Sequence, residues 1–191
     1  MNSAPGSDGA HNSREEHPTA HNAPDSSQSI PALVAVLSNQ DGQQRQAARE
    51  ALVHIGDPAV APLIAALGDS REHVRWEAAK ALGQMCNPAA APALVRTLED
   101  REGGVRWVAA HALIAMERQG VAPLLEALMS RSNSVLLRDG AHHVLRALCG
   151  GKLSALLSPV LAALDGAEPV LQAPVAAQAA LARLNTNQKG E

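Results

Sequence analysis

The chain contains no Phe and no Tyr, and two tryptophans are its whole aromatic content in 191 residues. Sheet cores favour aromatic and β-branched side chains, so this lack argues against a strand-based fold. The 46% hydrophobic content is instead mostly Ala, Leu and Val, the composition of helices packed closely through small side chains. Cysteine is nearly absent, with only Cys86 and Cys149, and no CxxC metal spacing occurs. No uninterrupted apolar run reaches the roughly 18 residues of a membrane-spanning helix; even Leu153 to Leu184 is broken by Asp165, Glu168 and prolines. Met1 is followed by polar residues rather than a basic and then an apolar segment, so no secretory leader is read. The expectation is a soluble, cytoplasmic, all-α protein with reduced thiols. Excess charge of one sign is also missing. The net charge of −3 resides in residues 1–29, where Asp8, Glu15, Glu16 and Asp25 face Arg14, and the other 15 basic and 15 acidic residues balance. A neutral body argues against a broad nucleic-acid surface, which needs an excess of Lys and Arg.

What is present is a repeat. Val74, Arg75 and Trp76 return 31 residues later as Val105, Arg106 and Trp107, and Leu63, Leu67, Ala78, Ala79, Leu82 and Met85 return as Leu94, Leu98, Ala109, Ala110, Leu113 and Met116. A fixed period near 30 carrying two apolar clusters predicts a helical solenoid. Each unit has a short apolar helix ending in Leu37, Leu67, Leu98 or Leu128, a polar turn, and a second helix opened by Arg45, Arg75, Arg106 or Arg138. Seven residues after each arginine stands Leu52, Leu82, Leu113 or Leu145. Val74, Ala78 and Leu82 follow the i, i+4, i+8 spacing of an inward stripe. Gly56 with Asp57, and Cys86 with Asn87, suit helix ends ahead of Pro58 and Pro88 at the joints between units. The extra residues of the fourth unit are placed in the Ser130–Ser134 turn.

Three segments result: a disordered polar tail over 1–29, a solenoid of about five two-helix units over 30–185, and a frayed end over 186–191. The tail holds His11, His17 and His21, which lack a scaffold for metal binding. The fifth unit is degenerate. It has a first helix over Leu153–Leu164 and a second over Val175–Leu184, with Leu181 in the leucine column, Val175 in the tryptophan column and Pro174 replacing the arginine; Pro169 or Pro174 starts the second helix and the other kinks it.

Leu67, Gly68 and Asp69 before one turn, Leu98, Glu99 and Asp100 before the next, Val-Arg opening the second helix and Ala-Ala-x-Ala-Leu within it resemble the short HEAT-like repeats first associated with phycobilisome lyases. Four units from Ile30 to about Cys149 carry the resemblance, and a fifth carries it loosely. It implies a right-handed, armadillo-type α-solenoid whose second helices line a concave partner-binding surface. It also implies a structural ladder in which Arg45, Arg75, Arg106 and Arg138 join Asp69 and Asp100 across successive turns. Functions in this class range from adaptors through bilin lyases to deoxyhypusine hydroxylase, and fold alone does not choose among them.

On the outer side of the second helices the pattern places Trp76, Glu77, Lys80 and Gln84, then Trp107, Val108, His111 and Ala115, then Asp139, Gly140, His143 and Ala147. Two indoles at the roughly 10 Å spacing of neighbouring helices would form an aromatic anchor. His111 and His143 share a column, with His142 beside it, yet no His-Glu dipeptide exists, so the paired motif of the hydroxylase does not carry over. Cys86 and Cys149 lie two repeat steps, about 20 Å, apart, beyond disulfide reach and at helix C-termini that disfavour a thiolate. No phosphate loop or nucleophile–base arrangement is found. The reading is a non-catalytic scaffold without cofactor or metal, binding another protein through Trp76, Trp107, Glu77, Lys80, His111, His143 and Arg146. The alternatives are a lyase-like accessory factor for a tetrapyrrole-modified protein, a hydroxylase-like metalloenzyme lacking the His-Glu motifs, and a nucleic-acid groove using the arginine column.

Overall fold

The computed structural model describes residues 29–188, so all but Ser29 of the tail expected over residues 1–29, with His11, His17 and His21, lies outside the described residues, as do 189–191. Ten α-helices and no strand occur among the described residues: α1 (Ile30–Val36), α2 (Gly42–Ile55), α3 (Val60–Ala66), α4 (Glu72–Met85), α5 (Ala91–Thr97), α6 (Gly103–Ala115), α7 (Arg118–Arg131), α8 (Val135–Leu148), α9 (Ser154–Asp165) and α10 (Pro169–Gln188). They pair in sequence order as five helical hairpins.

Local chemistry explains the boundaries. Ser29, Asp41 and Ser134 place a side-chain oxygen on a free N–H at the start of α1, α2 and α8. Gly56 (φ 77°) and Cys86 (φ 49°) turn the chain sharply after α2 and α4, and a short 3₁₀ turn containing Pro58 or Pro88 leads into the next unit. Asn87 accepts the Ala89 N–H and donates 2.8 Å to Asp57 of the preceding joint, so consecutive joints are tied together. Both leucine columns are buried, as are Val74, Ala78 and Leu82. The fourth unit differs in one respect from expectation: Ser130 and Arg131 prolong α7 instead of lengthening the turn.

Stacking forms two layers. In one, α4 lies on α2, α6 on α4 and α8 on α6; in the other, α3 lies on α1 and α7 on α5. The seam between α4 and α6 is lined by small residues, and at Gly83 a Cβ would fall 2.7 Å from Ala112 Cβ and 2.9 Å from Ala112 Cα. Only glycine permits that approach.

The last hairpin reverses the order. α9 packs on α8, continuing the second-helix layer, while α10 packs on α7 and closes the first-helix layer. The expected equivalence of α10 with the other second helices is therefore corrected. Ala173, Ala177, Ala180 and Leu184 face inward while Leu181 is only partly buried, and Val175 stands 67% exposed outside the tryptophan column. Pro169 opens α10, Pro174 is accommodated inside it, and the helix runs to Gln188, into the segment expected to fray.

Gly83→Ala gains up to about 1 kcal/mol of helix propensity but overpacks the seam at about 1–3 kcal/mol, for a net loss of stability. Thermal unfolding followed by circular dichroism should show a lower Tm for Gly83→Ala that Ala112→Gly does not restore, because the Ala112 Cα stays 2.9 Å from the added Cβ; an unchanged Tm for Gly83→Ala would contradict the close approach.

Candidate functional site

The arginine at the fourth position of each second helix acts first on its own unit. Arg45 Nη1 donates to the carbonyls of Asn39 (2.8 Å) and Gln40 (3.0 Å), Arg75 Nη1 to Asp69 (2.9 Å) and Ser70 (3.0 Å), and Arg106 Nη1 to Asp100 (2.8 Å) and Arg101 (3.2 Å). Arg138 Nη1 donates to Ser132 at 2.5 Å. The column is thus a set of clamps that satisfy turn carbonyls with a charged donor.

Only one inter-unit rung of the expected ladder is present. Arg75 grips Asp100 through two bonds, Nε to Oδ2 at 2.7 Å and Nη2 to Oδ1 at 2.8 Å, with both side chains nearly buried. Burial alone would push the Asp100 carboxyl up, but the bonds from Arg75 and from the Glu102 N–H outweigh it and hold Asp100 below the usual carboxylate range. Asp69 does not reach Arg45. It accepts from the Arg71 side chain and backbone, and the Arg71 guanidinium, aided by that backbone N–H, holds its carboxyl far below the usual range. Ser132 stands where Asp100 stands in the preceding unit, six residues before the clamp arginine, so Arg106 has no aspartate across the turn; the neighbouring Arg131 pairs with Glu99.

Glu77 corrects the outward-facing expectation. It is 5% exposed and enclosed between α4 and α2, with Oε2 2.5 Å from Nη1 of the equally buried Arg49 and Oε1 3.6 Å from Arg45 Nε. A signal for this was available in the sequence. Arg49 interrupts a column otherwise holding Ala79, Ala110 and His142, and Glu77 interrupts one holding Ala47, Val108 and Gly140. Opposite charges in adjacent units, each alone in a column of mostly small side chains, are partners.

The remaining expected residues do gather on the outer side of α4, α6 and α8. Trp76 is half-buried with Lys80 Nζ 4.6 Å above its ring, a cation–π contact, and Trp107 is 58% exposed. The Trp107 and His111 rings lie 4.0 Å apart by centroid, and His111 and His143 lie 5.7 Å apart. Both tryptophans, Lys80, Gly83, Gln84 and His111 line one open groove of about 430 Å³ between α4 and α6. Arg146 is exposed one turn beyond His143 on α8, whereas His142 turns to Asp165 of α9 at 2.9 Å. Among the described residues no group of three or more His, Cys, Asp or Glu converges as a metal site, and the two cysteines are free thiols.

Stacked hairpins presenting one row of second helices define an α-solenoid of two-helix repeats. Within that class the chain belongs to the HEAT repeats family, which matches residues 30–114 and 60–146. Among solved structures, one similar chain is from the complex of CpcE and CpcF of phycocyanin lyase from Nostoc sp. PCC7120, with 26% identity, a TM-score of 0.49 and coverage of 90% of this chain and 70% of that one. Another is a designed armadillo repeat protein in complex with the peptide (KR)4, with 21% identity, a TM-score of 0.42 and coverage of 84% and 90%. No curated protein matches the sequence. No described helix is long and apolar enough to cross a membrane.

Two predictions follow from the ion pairs. Glu77→Ala leaves the Arg49 charge buried and unpaired and should cost about 3 kcal/mol or more in chemical denaturation, while Arg49→Met with Glu77→Leu should recover most of it. The carboxyls of Asp69 and Asp100 titrate lower in the folded than in the unfolded chain. Their stabilisation is therefore complete above the unfolded carboxylate value of about 3.9 and is lost as pH falls below it toward the folded values. Asp100→Asn should lower stability at pH 7 and flatten its fall below about pH 4, as measured by denaturation across pH.

Proposed function

We propose that this protein is a non-catalytic scaffold that captures another protein on the second-helix face, with the groove between α4 and α6 at its centre. The observation that carries this reading is the convergence of the chain's entire aromatic content on one open groove. The fold does not demand tryptophan at that column, where Gln46 and Asp139 serve in neighbouring units. An indole left 58% exposed, as Trp107 is, offers a large, rigid apolar surface whose burial rewards association. Gly83 lowers the floor between the two rings, so a side chain from a partner has room to enter.

Around these anchors, Lys80, His111, His143 and Arg146 supply polar contacts that orient the partner. Glu77 has no part in this surface, because Arg49 already occupies it. The clamping arginines are likewise committed to turn carbonyls, and that leaves the arginine column with little capacity to read phosphates.

Trp76→Ala with Trp107→Ala should abolish capture of the partner from native cell extract while far-ultraviolet circular dichroism remains that of the wild type. Capture at wild-type yield by the double variant would overturn the proposal.

A further inference from the structure

We infer that two copies of this chain dock symmetrically through the outer face of the α9–α10 hairpin, at the end of the array away from α1. This surface is separate from the groove between α4 and α6 and does not depend on it.

No further hairpin among the described residues covers α9 and α10, yet their outer face has the chemistry of a buried one. Leu171 and Val175 are the most exposed large hydrophobic side chains among the described residues, more exposed even than Trp107. Beside them lies an open recess of about 520 Å³, lined by Pro159, Ala162 and Ala179, with Gln172 as the one polar side chain on its wall. The charged residues of the two helices and their turn are Asp165, Glu168 and Arg183, and none of them lines the recess. Asp165 turns to His142 at 2.9 Å, and Arg183 Nη1 donates to the Ala155 carbonyl at 3.1 Å. A contiguous aliphatic surface of this kind is one that association removes from water.

The chain's remaining segments do not supply the cover. Residues 1–28 contain no Val, Leu or Ile and hold four acidic residues against one arginine, and residues 189–191 are Lys, Gly and Glu. A second copy does supply it, because the face carries both halves of an interface. Docking about a two-fold axis sets one patch against itself, so bulk and recess must lie side by side with no charge to meet its own image. Leu171 and Val175 provide the bulk, and the alanine recess receives their counterparts. Leu171, Val175 and Ala179 recur every fourth residue, the row through which helices most often interlock. Head-to-tail joining is a poorer match. At the other end of the array α2 exposes Gln43, Gln44, Gln46, Glu50 and His54, polar groups that Leu171 and Val175 would strip of water.

The size of the face is sufficient. With 12 residues in α9 and 20 in α10, it is about 18–30 Å long and, two helices wide, about 20 Å across, so a pair of copies buries about 1,000 Å². That is the lower bound for a specific interface and corresponds to a dimer that forms at micromolar concentration and separates on dilution. The groove between α4 and α6 shares no residue with this face, so each dimer presents two grooves to a partner.

Sedimentation equilibrium of the full chain from about 1 to about 200 μM tests the inference. The mass should rise from the 19.8 kDa of one chain toward twice that value and level off there. Leu171→Asp with Val175→Asp, at unchanged circular dichroism, should weaken association by at least about tenfold, because each carboxylate meets its own image. Ala179→Arg, which fills the recess from another turn of α10, should do the same. Trp76→Ala with Trp107→Ala should dimerise as the wild type does. A single-chain mass at every concentration, a mass that climbs past two chains, a dimer indifferent to either hairpin variant, or one lost with the tryptophans would each overturn the inference.

Discussion

The close contact of α4 with α6 at Gly83 and Ala112 is the constraint on which the rest depends. Helices stack this tightly only where side chains are small, and the Ala-rich columns provide that along the second-helix layer. The same contact brings the Trp76 and Trp107 positions onto opposite walls of a single groove and leaves no bulky side chain on its floor. A larger residue at Gly83 would change both the stacking and the recess above it. Structure and candidate function therefore share one seam.

Charge is handled by division of labour. The arginines that open the second helices spend their donors on turn carbonyls, which would otherwise be left without partners at each bend. Arg75 has a second role, reaching Asp100 in the next unit, and Arg45 approaches Glu77 in the same way. Between the first and second units the tie is a different one, with Glu77 enclosed by Arg49 and Arg45. Buried pairs of this kind add little net stability but punish the loss of either member, so they enforce the register of stacking more than its strength.

The terminal hairpin shows how the array stops. By crossing over, α10 covers α7 and α9 covers α8, so the two layers end in the opposite chain order from the preceding units. The outer surface of this hairpin keeps Leu171 66% and Val175 67% exposed, less polar than the end of a solenoid usually is.

Sequence alone was enough for the repeat, the two-helix unit, both leucine columns and the joints after α2 and α4, because these follow from periodicity and capping chemistry acting over a few residues; the ends of α7 and α10 were not among them. It also placed Trp76, Trp107, Lys80, His111 and His143 on one side of the second helices. Tertiary structure alone decided what lies across the unit joints. Arg45 to Asp69 and Arg75 to Asp100 are equivalent in sequence, yet only the second pair forms, because Asp69 has Arg71 two residues away. Glu77 reads as a surface charge until Arg49 of the neighbouring helix is brought against it. The reversal of α9 and α10 has no counterpart in a local pattern, since it depends on which face of which helix lies open when the last hairpin docks. Contacts between units are set by three-dimensional proximity, and a one-dimensional period carries that information only while every unit stacks alike.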